Sequence, residues 1–220
     1  MAISISILRI TDYYRRHGLA ATLGRIGQGV RRLFSTRMVV FCCDLAKTAL
    51  PSAELPSGLK VERKNRLDEL TPDEREALTA YWNPRLARRN MKERFGKGAS
   101  LWLIKSQNIV AGFSWTIRGG TIAPFYFPMA EDDVQFFDWA VFPKFRGRAI
   151  LFFLVTQILG RLQAEGAARA FGDAAEWNQA SLAAYKMLPF RRLGIAKKFI
   201  FMDRHIIVWS CKSKPQSADR

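Results

Sequence analysis

The sequence predicts an α/β (α+β) fold built on a mixed, mostly antiparallel sheet flanked by helices. Two strand-like runs, Ser100 to Ser106 and Ile109 to Arg118, are separated only by Gln107-Asn108, which makes them a hairpin. From Val134 to Leu188 strand and helix patterns alternate, and such a unit needs a parallel neighbour pair. A second hairpin closes the chain, Ile195 to Phe201 with His205 to Ser210. The 220 residues are 49% hydrophobic and include 16 Phe and 6 Trp, enough for a real core and against disorder.

Residues 1–38 hold seven Arg, no Lys and one Asp. Leu19, Leu23, Ile26, Val30 and Leu33 recur at helical spacing, while Arg25, Arg31 and Arg32 fall largely elsewhere, so a basic amphipathic helix is expected. Attachment to an anionic membrane surface, packing on the main domain and an organellar transit peptide are all open readings of it. Met38 to Cys43 is β-like, and 46–57 reads as a linker. Leu59 to Arg63 reads as a strand. Thr71-Pro72-Asp73-Glu74 is a helix start, with Thr as cap, Pro in the first turn and acids facing the dipole. That helix stops near Asn83-Pro84, and a second covers Leu86 to Phe95. Gly119-Gly120 turns the chain after the first hairpin. Thr121 to Met129 is aromatic but broken by Pro124 and Pro128, an irregular loop. Val134 to Val141 is a strand, Ala149 to Gln163 a buried helix ended by Glu165-Gly166, Ala168 to Gly172 the beginning of a strand, and Gln179 to Leu188 a helix. His205 is expected in the turn of the last hairpin. The chain thus divides into a helical extension over 1–38, a main domain over 39–212 and a tail over 213–220.

The net charge of +16 points to an anionic partner, whether nucleic acid, acidic lipid or polyanionic substrate. No apolar run is long enough to span a bilayer. Of the three Cys, Cys42 and Cys43 are adjacent, so on a strand they point to opposite faces and make no useful disulfide. No metal-ligand spacing occurs. A reducing compartment fits, hence the cytoplasm, with a peripheral membrane position as the option left by residues 1–38.

The strongest functional signal is Val141-Phe142-Pro143-Lys144-Phe145-Arg146-Gly147-Arg148-Ala149-Ile150. A strand ends, a basic turn follows and a helix opens, leaving backbone N–H groups without intrahelical partners beside a positive dipole end. Gly147 lets a ligand come close to the backbone. Neither a Walker loop nor a Rossmann fingerprint is present. One helix and one strand later stands Asn178-Gln179-Ala180-Ser181-Leu182-Ala183-Ala184-Tyr185-Lys186-Met187-Leu188-Pro189-Phe190.

Together these two segments resemble the GNAT N-acetyltransferase superfamily. The family's loop, Arg/Gln-x-x-Gly-x-Gly/Ala, is matched at Gly147 and Ala149, with Lys144 in the first position. Its later helix, Asn-x-x-Ala/Ser-x-x-x-Tyr-x-x-x-Gly-Phe, is matched by Asn178, Ser181, Tyr185 and Phe190, with Pro189 replacing Gly. The resemblance covers Val134 to Gly194. It implies a sheet whose two central strands splay to form a cleft for coenzyme A, and an acyl group (acetyl by default) passed from acyl-coenzyme A to an amine.

It also implies roles. A backbone N–H near Val141 meets the developing oxyanion, and the amides of Arg146, Gly147, Arg148, Ala149 and Ile150 hold the pyrophosphate. Asn178 and Ser181 hold the coenzyme arm or the helix start, and Tyr185 is the general acid for the departing thiolate. Core packing is the competing role for Tyr185. Glu131, Asp133, Asp138 and Glu176 are candidate bases. Asp138 stands out because it interrupts an apolar strand, unless an Arg pairs with it. The acceptor, a small-molecule or polymer-linked amine, is not specified. Phe125, Tyr126 and Phe127 are expected either to shape an apolar acceptor site or to form a satellite cluster under their loop. A catalytically degenerate member serving as an interaction module, and an RNA-directed acyltransferase or nucleic-acid-binding protein, are the alternatives.

Overall fold

The computed structural model describes residues 18–19, 37–51, 54–81, 84–201 and 204–210. The helix expected across residues 1–38 and the tail at 213–220 lie essentially outside the described residues. The chain forms two compact units, Met1–Arg37 and Met38–Arg220, and from Met38 onward the sheet and its helices belong to the second.

Eight strands form one sheet: β1 Arg37–Asp44, β2 Leu59–Lys64, β3 Ser100–Ser106, β4 Ile109–Arg118, β5 Asp133–Val141, β6 Arg169–Ala175, β7 Arg191–Phe201 and β8 Arg204–Trp209. Their spatial order is β2-β3-β4-β5-β6-β1-β7-β8. Helices α1 Pro72–Tyr81, α2 Pro84–Gly96, α3 Ile150–Ala164 and α4 Gln179–Lys186 cover it. None of the described helices is long and apolar enough to cross a membrane.

Local chemistry explains the elements. Gln107 (φ 50°) and Asn108 (φ 66°) both take left-handed backbone, as a two-residue hairpin whose twist matches its strands requires. Thr71 and Glu74 cap α1 reciprocally: the Glu74 N–H donates to Thr71 Oγ1 at 3.2 Å, and the Thr71 N–H donates to Glu74 Oε2 at 2.8 Å. Helix α3 buries Ile150, Leu154, Val155, Ile158, Leu159 and Leu162 against the sheet. Those residues, with Val39, Phe41 and Cys43 of β1 and Tyr185 of α4, form the main core. On the opposite face α1 and α2 pack over Leu101, Leu103, Phe113 and Trp115. Val40, Cys42 and Phe171 face a third cluster, capped by Phe125 and Tyr126 of the 121–129 loop. Cys42 and Cys43 therefore do point to opposite faces, and both are free and buried. Burial pushes the Cys42 thiol up to about 11.

Strand β6, expected to begin over Ala168 to Gly172, runs on to Ala175, with Asp173 and Ala174 pairing with Val40 and Val39. Two expectations need correction. Strand β7 starts at Arg191 rather than Ile195, its first two side chains being exposed and so invisible to a hydrophobicity reading. His205 lies within β8, opposite Ile200, rather than in the turn. Strand β1, which the sequence left without a partner, is an interior strand between β6 and β7.

One feature of the sheet positions the site. Parallel pairing of β5 with β6 covers only Asp133–Arg169, Val134–Ala170 and Gln135–Phe171. Beyond those pairs the strands have no mutual register, so their C-terminal halves diverge and leave an opening in the middle of the sheet.

Candidate active site

At the end of β5 the chain enters a single 3-10 turn, Pro143–Phe145, seated by buried Phe145. The Arg146 N–H donates to Pro143 O at 3.3 Å, and the next backbone N–H to reach a backbone carbonyl is that of Phe153, on Ala149 O at 3.1 Å. The N–H groups of Gly147, Arg148, Ala149, Ile150, Leu151 and Phe152 therefore have no backbone acceptor. Gly147 (φ 77°) and Ala149 (φ 54°) both take left-handed backbone, which turns successive amides into one concavity. A Cβ on Gly147 would meet nothing within 4 Å, so the amides open onto free space. Lys144, Arg146 and Arg148 are exposed around it. A diphosphate fits this arrangement in both charge and donor count. Of the amides expected to hold the pyrophosphate, that of Arg146 is used by Pro143 O, while those of Leu151 and Phe152, which were not among them, also have no backbone acceptor.

The opening between β5 and β6 is lined by backbone and aromatic side chains. The Phe142 N–H bonds Ala111 O of β4 at 2.9 Å, so the Val141 N–H, alternating along the strand, points to the β6 side, where no ladder meets it. Tyr185 is 2% exposed and stacks on Phe41 at 4.0 Å between centroids, with Trp139 at 4.6 Å and Phe190 at 5.3 Å. Its hydroxyl lies over Gly172, where a Cβ would come within 2.1 Å of the oxygen. Burial, and then the charge of Asp173, raise the Tyr185 pKa well above that of an ordinary phenol. Asn178 caps α4, its Oδ1 accepting from the Ser181 N–H at 3.2 Å, so both residues hold the helix that carries Tyr185.

Asp138 sits in a β-bulge. Trp115 pairs with Phe137 and Phe113 with Ala140, so Ser114 alone opposes Asp138 and Trp139. Asp138 has φ 53°, a left-handed conformation that costs free energy in a strand. Its carboxylate receives Arg94 Nη2 of α2 at 2.6 Å, the Arg pairing that the competing, structural reading of this residue expects, and that guanidinium lies over Trp115 and Phe137 at 5.1 and 5.3 Å. The extra residue rotates Trp139 towards Tyr185 while Phe137 stays under Arg94.

The other candidate acids lie elsewhere. Asp133 is fully buried at the paired end of β5, bound by Arg169 through two bonds of 2.8 Å. Glu131 is exposed in the turn before β5, and Glu176 is in the turn between β6 and α4. Asp173, Arg94 and Gly172 were missed by the sequence reading. The acid-in-an-apolar-strand rule that picked out Asp138 applies equally to Asp173. Tyr126 donates its hydroxyl to Asp173 Oδ2 at 2.6 Å, and burial raises the carboxyl pKa. Lys198 lies over the Tyr126 ring at 4.5 Å and donates to Pro124 O. The 121–129 loop is thus latched to the sheet, over an open hollow of about 460 Å³ lined by its own aromatic residues and Ile207.

Residues 67–190, more than half of the chain, match the family model of the acetyltransferase (GNAT) family. The chain belongs to that family, whose reaction is acyl transfer from acyl-coenzyme A. Solved structures share the fold. They include the GCN5-related N-acetyltransferase of Sphaerobacter thermophilus, at 15% identity over 71% of this chain and 48% of that one, TM-score 0.51. An acetyltransferase of the GNAT family from Colwellia psychrerythraea matches at 10% identity over 72% of this chain and 53% of that one, TM-score 0.51. This chain thus spans about half the length of these two. No curated protein matches the sequence.

Proposed function

We propose that the protein is an N-acyltransferase that uses acetyl-coenzyme A, or a longer acyl-coenzyme A, and passes the acyl group to an amine by direct attack. The observation that carries this reading is the run of partnerless amides from Gly147 to Phe152, ringed by Lys144, Arg146 and Arg148, at the mouth of the β5–β6 opening. The coenzyme would supply a thioester whose carbonyl carbon accepts the amine nitrogen while the carbon–sulfur bond breaks. The Val141 N–H, on the unpaired edge of β5, donates to the carbonyl oxygen as negative charge develops. Asp138, on the bulge beside that edge, takes the proton leaving the amine nitrogen, directly or through water. Arg94 aims that carboxylate. Tyr185, kept protonated by its raised pKa, donates a hydrogen bond to the departing sulfur. Asn178 and Ser181 act through it by fixing its helix. The hollow under Phe125, Tyr126 and Phe127 takes an apolar part of the acceptor.

Calorimetric titration with acetyl-coenzyme A tests the reading. Saturable binding is expected, and Gly147→Glu, which puts a carboxylate into the amide cradle, should abolish it. A folded Gly147→Glu variant that binds as well as the parent would remove the basis of the proposal.

A further inference from the structure

Helix α2 carries an arrangement of charge that its own folding does not favour. Arg85, Arg88, Arg89 and Lys92 recur at helical spacing, share one face and are all exposed. Like charges at that spacing repel. The first turn has no acid, so Arg85 also stands against the positive end of the helix dipole. The sole acid of the helix, Glu93, is turned to Lys97 at 3.2 Å, and its remaining cation, Arg94, to Asp138. Among the described residues, none of the four exposed cations is within ion-pair distance of an acid.

Beside this ridge α1 and α2 enclose an open groove of about 640 Å³. Arg75, Arg88 and Lys92 line it together with apolar Leu67 and Met91, and Glu76 is its one acid. Arg75 is held there by donating Nη2 to Leu67 O at 3.0 Å. A local rule broken without compensation inside the fold marks residues that serve something outside it.

We infer that this ridge and groove bind the phosphate backbone of a nucleic-acid strand. The cations extend along about 10 Å of helix axis. Three of the four are Arg, whose planar fork engages two phosphate oxygens at once. The described lining is mainly cationic and aliphatic, and its cations engage phosphates, a mode of recognition without sequence preference. The exposed face of α2 has no large apolar side chain among its cations, which disfavours insertion into a lipid surface. The site is on different elements from the amide cradle, so the two are separable by substitution, and it stands whether or not the acyl-transfer reading does.

The test is fluorescence anisotropy of a labelled single-stranded uridine oligonucleotide against the full chain at several salt concentrations. Four phosphate contacts give a slope of log K on log salt of about −3. The variant R85Q/R88Q/R89Q/K92Q keeps helix propensity. It should lose at least ten-fold in affinity and most of that slope, while K144Q/R146Q/R148Q keeps both. The inference is overturned if the α2 variant binds like the parent, or if both variants lose equally. It is also overturned if poly-glutamate displaces the oligonucleotide as well as unlabelled RNA does, or if phosphatidylserine vesicles bind through these residues and RNA does not.

Discussion

Replacing Gly172 by Ala should push the Tyr185 hydroxyl out of the opening in the sheet. The added Cβ would lie 2.1 Å from Tyr185 Oη, 3.1 Å from Cζ and 3.4 Å from Cε1. Comfortable carbon contacts are about 3.5–4.0 Å, so the oxygen has to move by more than 1 Å. The ring has little room to follow, with Phe41 stacked on it at 4.0 Å and an interplanar angle of 8°, and Trp139 on its other flank. Overpacking of this kind costs about 1–3 kcal/mol. At this chain length that is a fall in Tm of roughly 2–12 °C. In a Tyr185→Phe background the closest atom becomes Cζ at 3.1 Å, and most of the clash disappears. Urea unfolding of the parent, both single variants and the double variant should therefore give a coupling of at least about 1 kcal/mol between the two sites. Additive effects would refute the placement of the phenol over Gly172, and with it the hydrogen bond to the departing sulfur. With the placement upheld, Gly172→Ala should slow turnover while leaving the Gly147 cradle intact.

Asp138→Asn keeps a residue type that tolerates left-handed backbone and removes the charge. Turnover should fall by about a hundred-fold with acetyl-coenzyme A affinity unchanged. Steady-state kinetics showing parental turnover would reduce Asp138 to the partner of Arg94. Thr71→Ala breaks the reciprocal cap of α1 and should cost about 0.5–2 kcal/mol in urea unfolding. Glu62 should make stability acid-sensitive. Burial raises its pKa, but hydrogen bonds from Lys60, Lys105 and Lys64 outweigh that and bring it down to about 2 from 4.5. A carboxylate depressed in the folded state adds stability above its unfolded pKa and loses it as pH falls through the folded value. Thermal unfolding should therefore show a loss between about pH 4.5 and 2, which Glu62→Gln reduces.

The parts of the fold legible in the sequence were those with local causes. The Thr71–Glu74 cap, the Gln107-Asn108 hairpin and the almost wholly apolar first half of α3 each state their structure within a few residues. Pairing across the chain was not legible. Nothing in Arg37–Asp44 says that it will meet Arg169–Ala175, because both are short β-rich runs and register is set by burial on two faces at once. The site divides in the same way. Gly147, Ala149, Asn178 and Tyr185 belong to contiguous patterns and could be read directly. The Arg94 contact to Asp138 and the Gly172 gap under Tyr185 join residues 44 and 13 positions apart, and they exist only after β5 bulges and β6 leaves its neighbour. Asp133 looked as free as Asp138 in the sequence; both are held by an Arg, and what separates them is that Asp133 is fully buried at the paired end of β5 while Asp138 sits on the bulge.

The interior position of β1 has a consequence for how the chain is made. Its partner strand is synthesised some 130 residues after it. Until β6 emerges, an apolar strand containing Val39, Val40 and Phe41 has both edges unpaired, and the hairpin β7–β8 cannot join the sheet except against it. Such long-range closure is slow, and the waiting strand is exposed to wrong partners meanwhile. Recovery from denaturant should therefore be slow and sensitive to protein concentration, and a chain begun after Asp44 would have to join β6 to β7 without the strand that separates them.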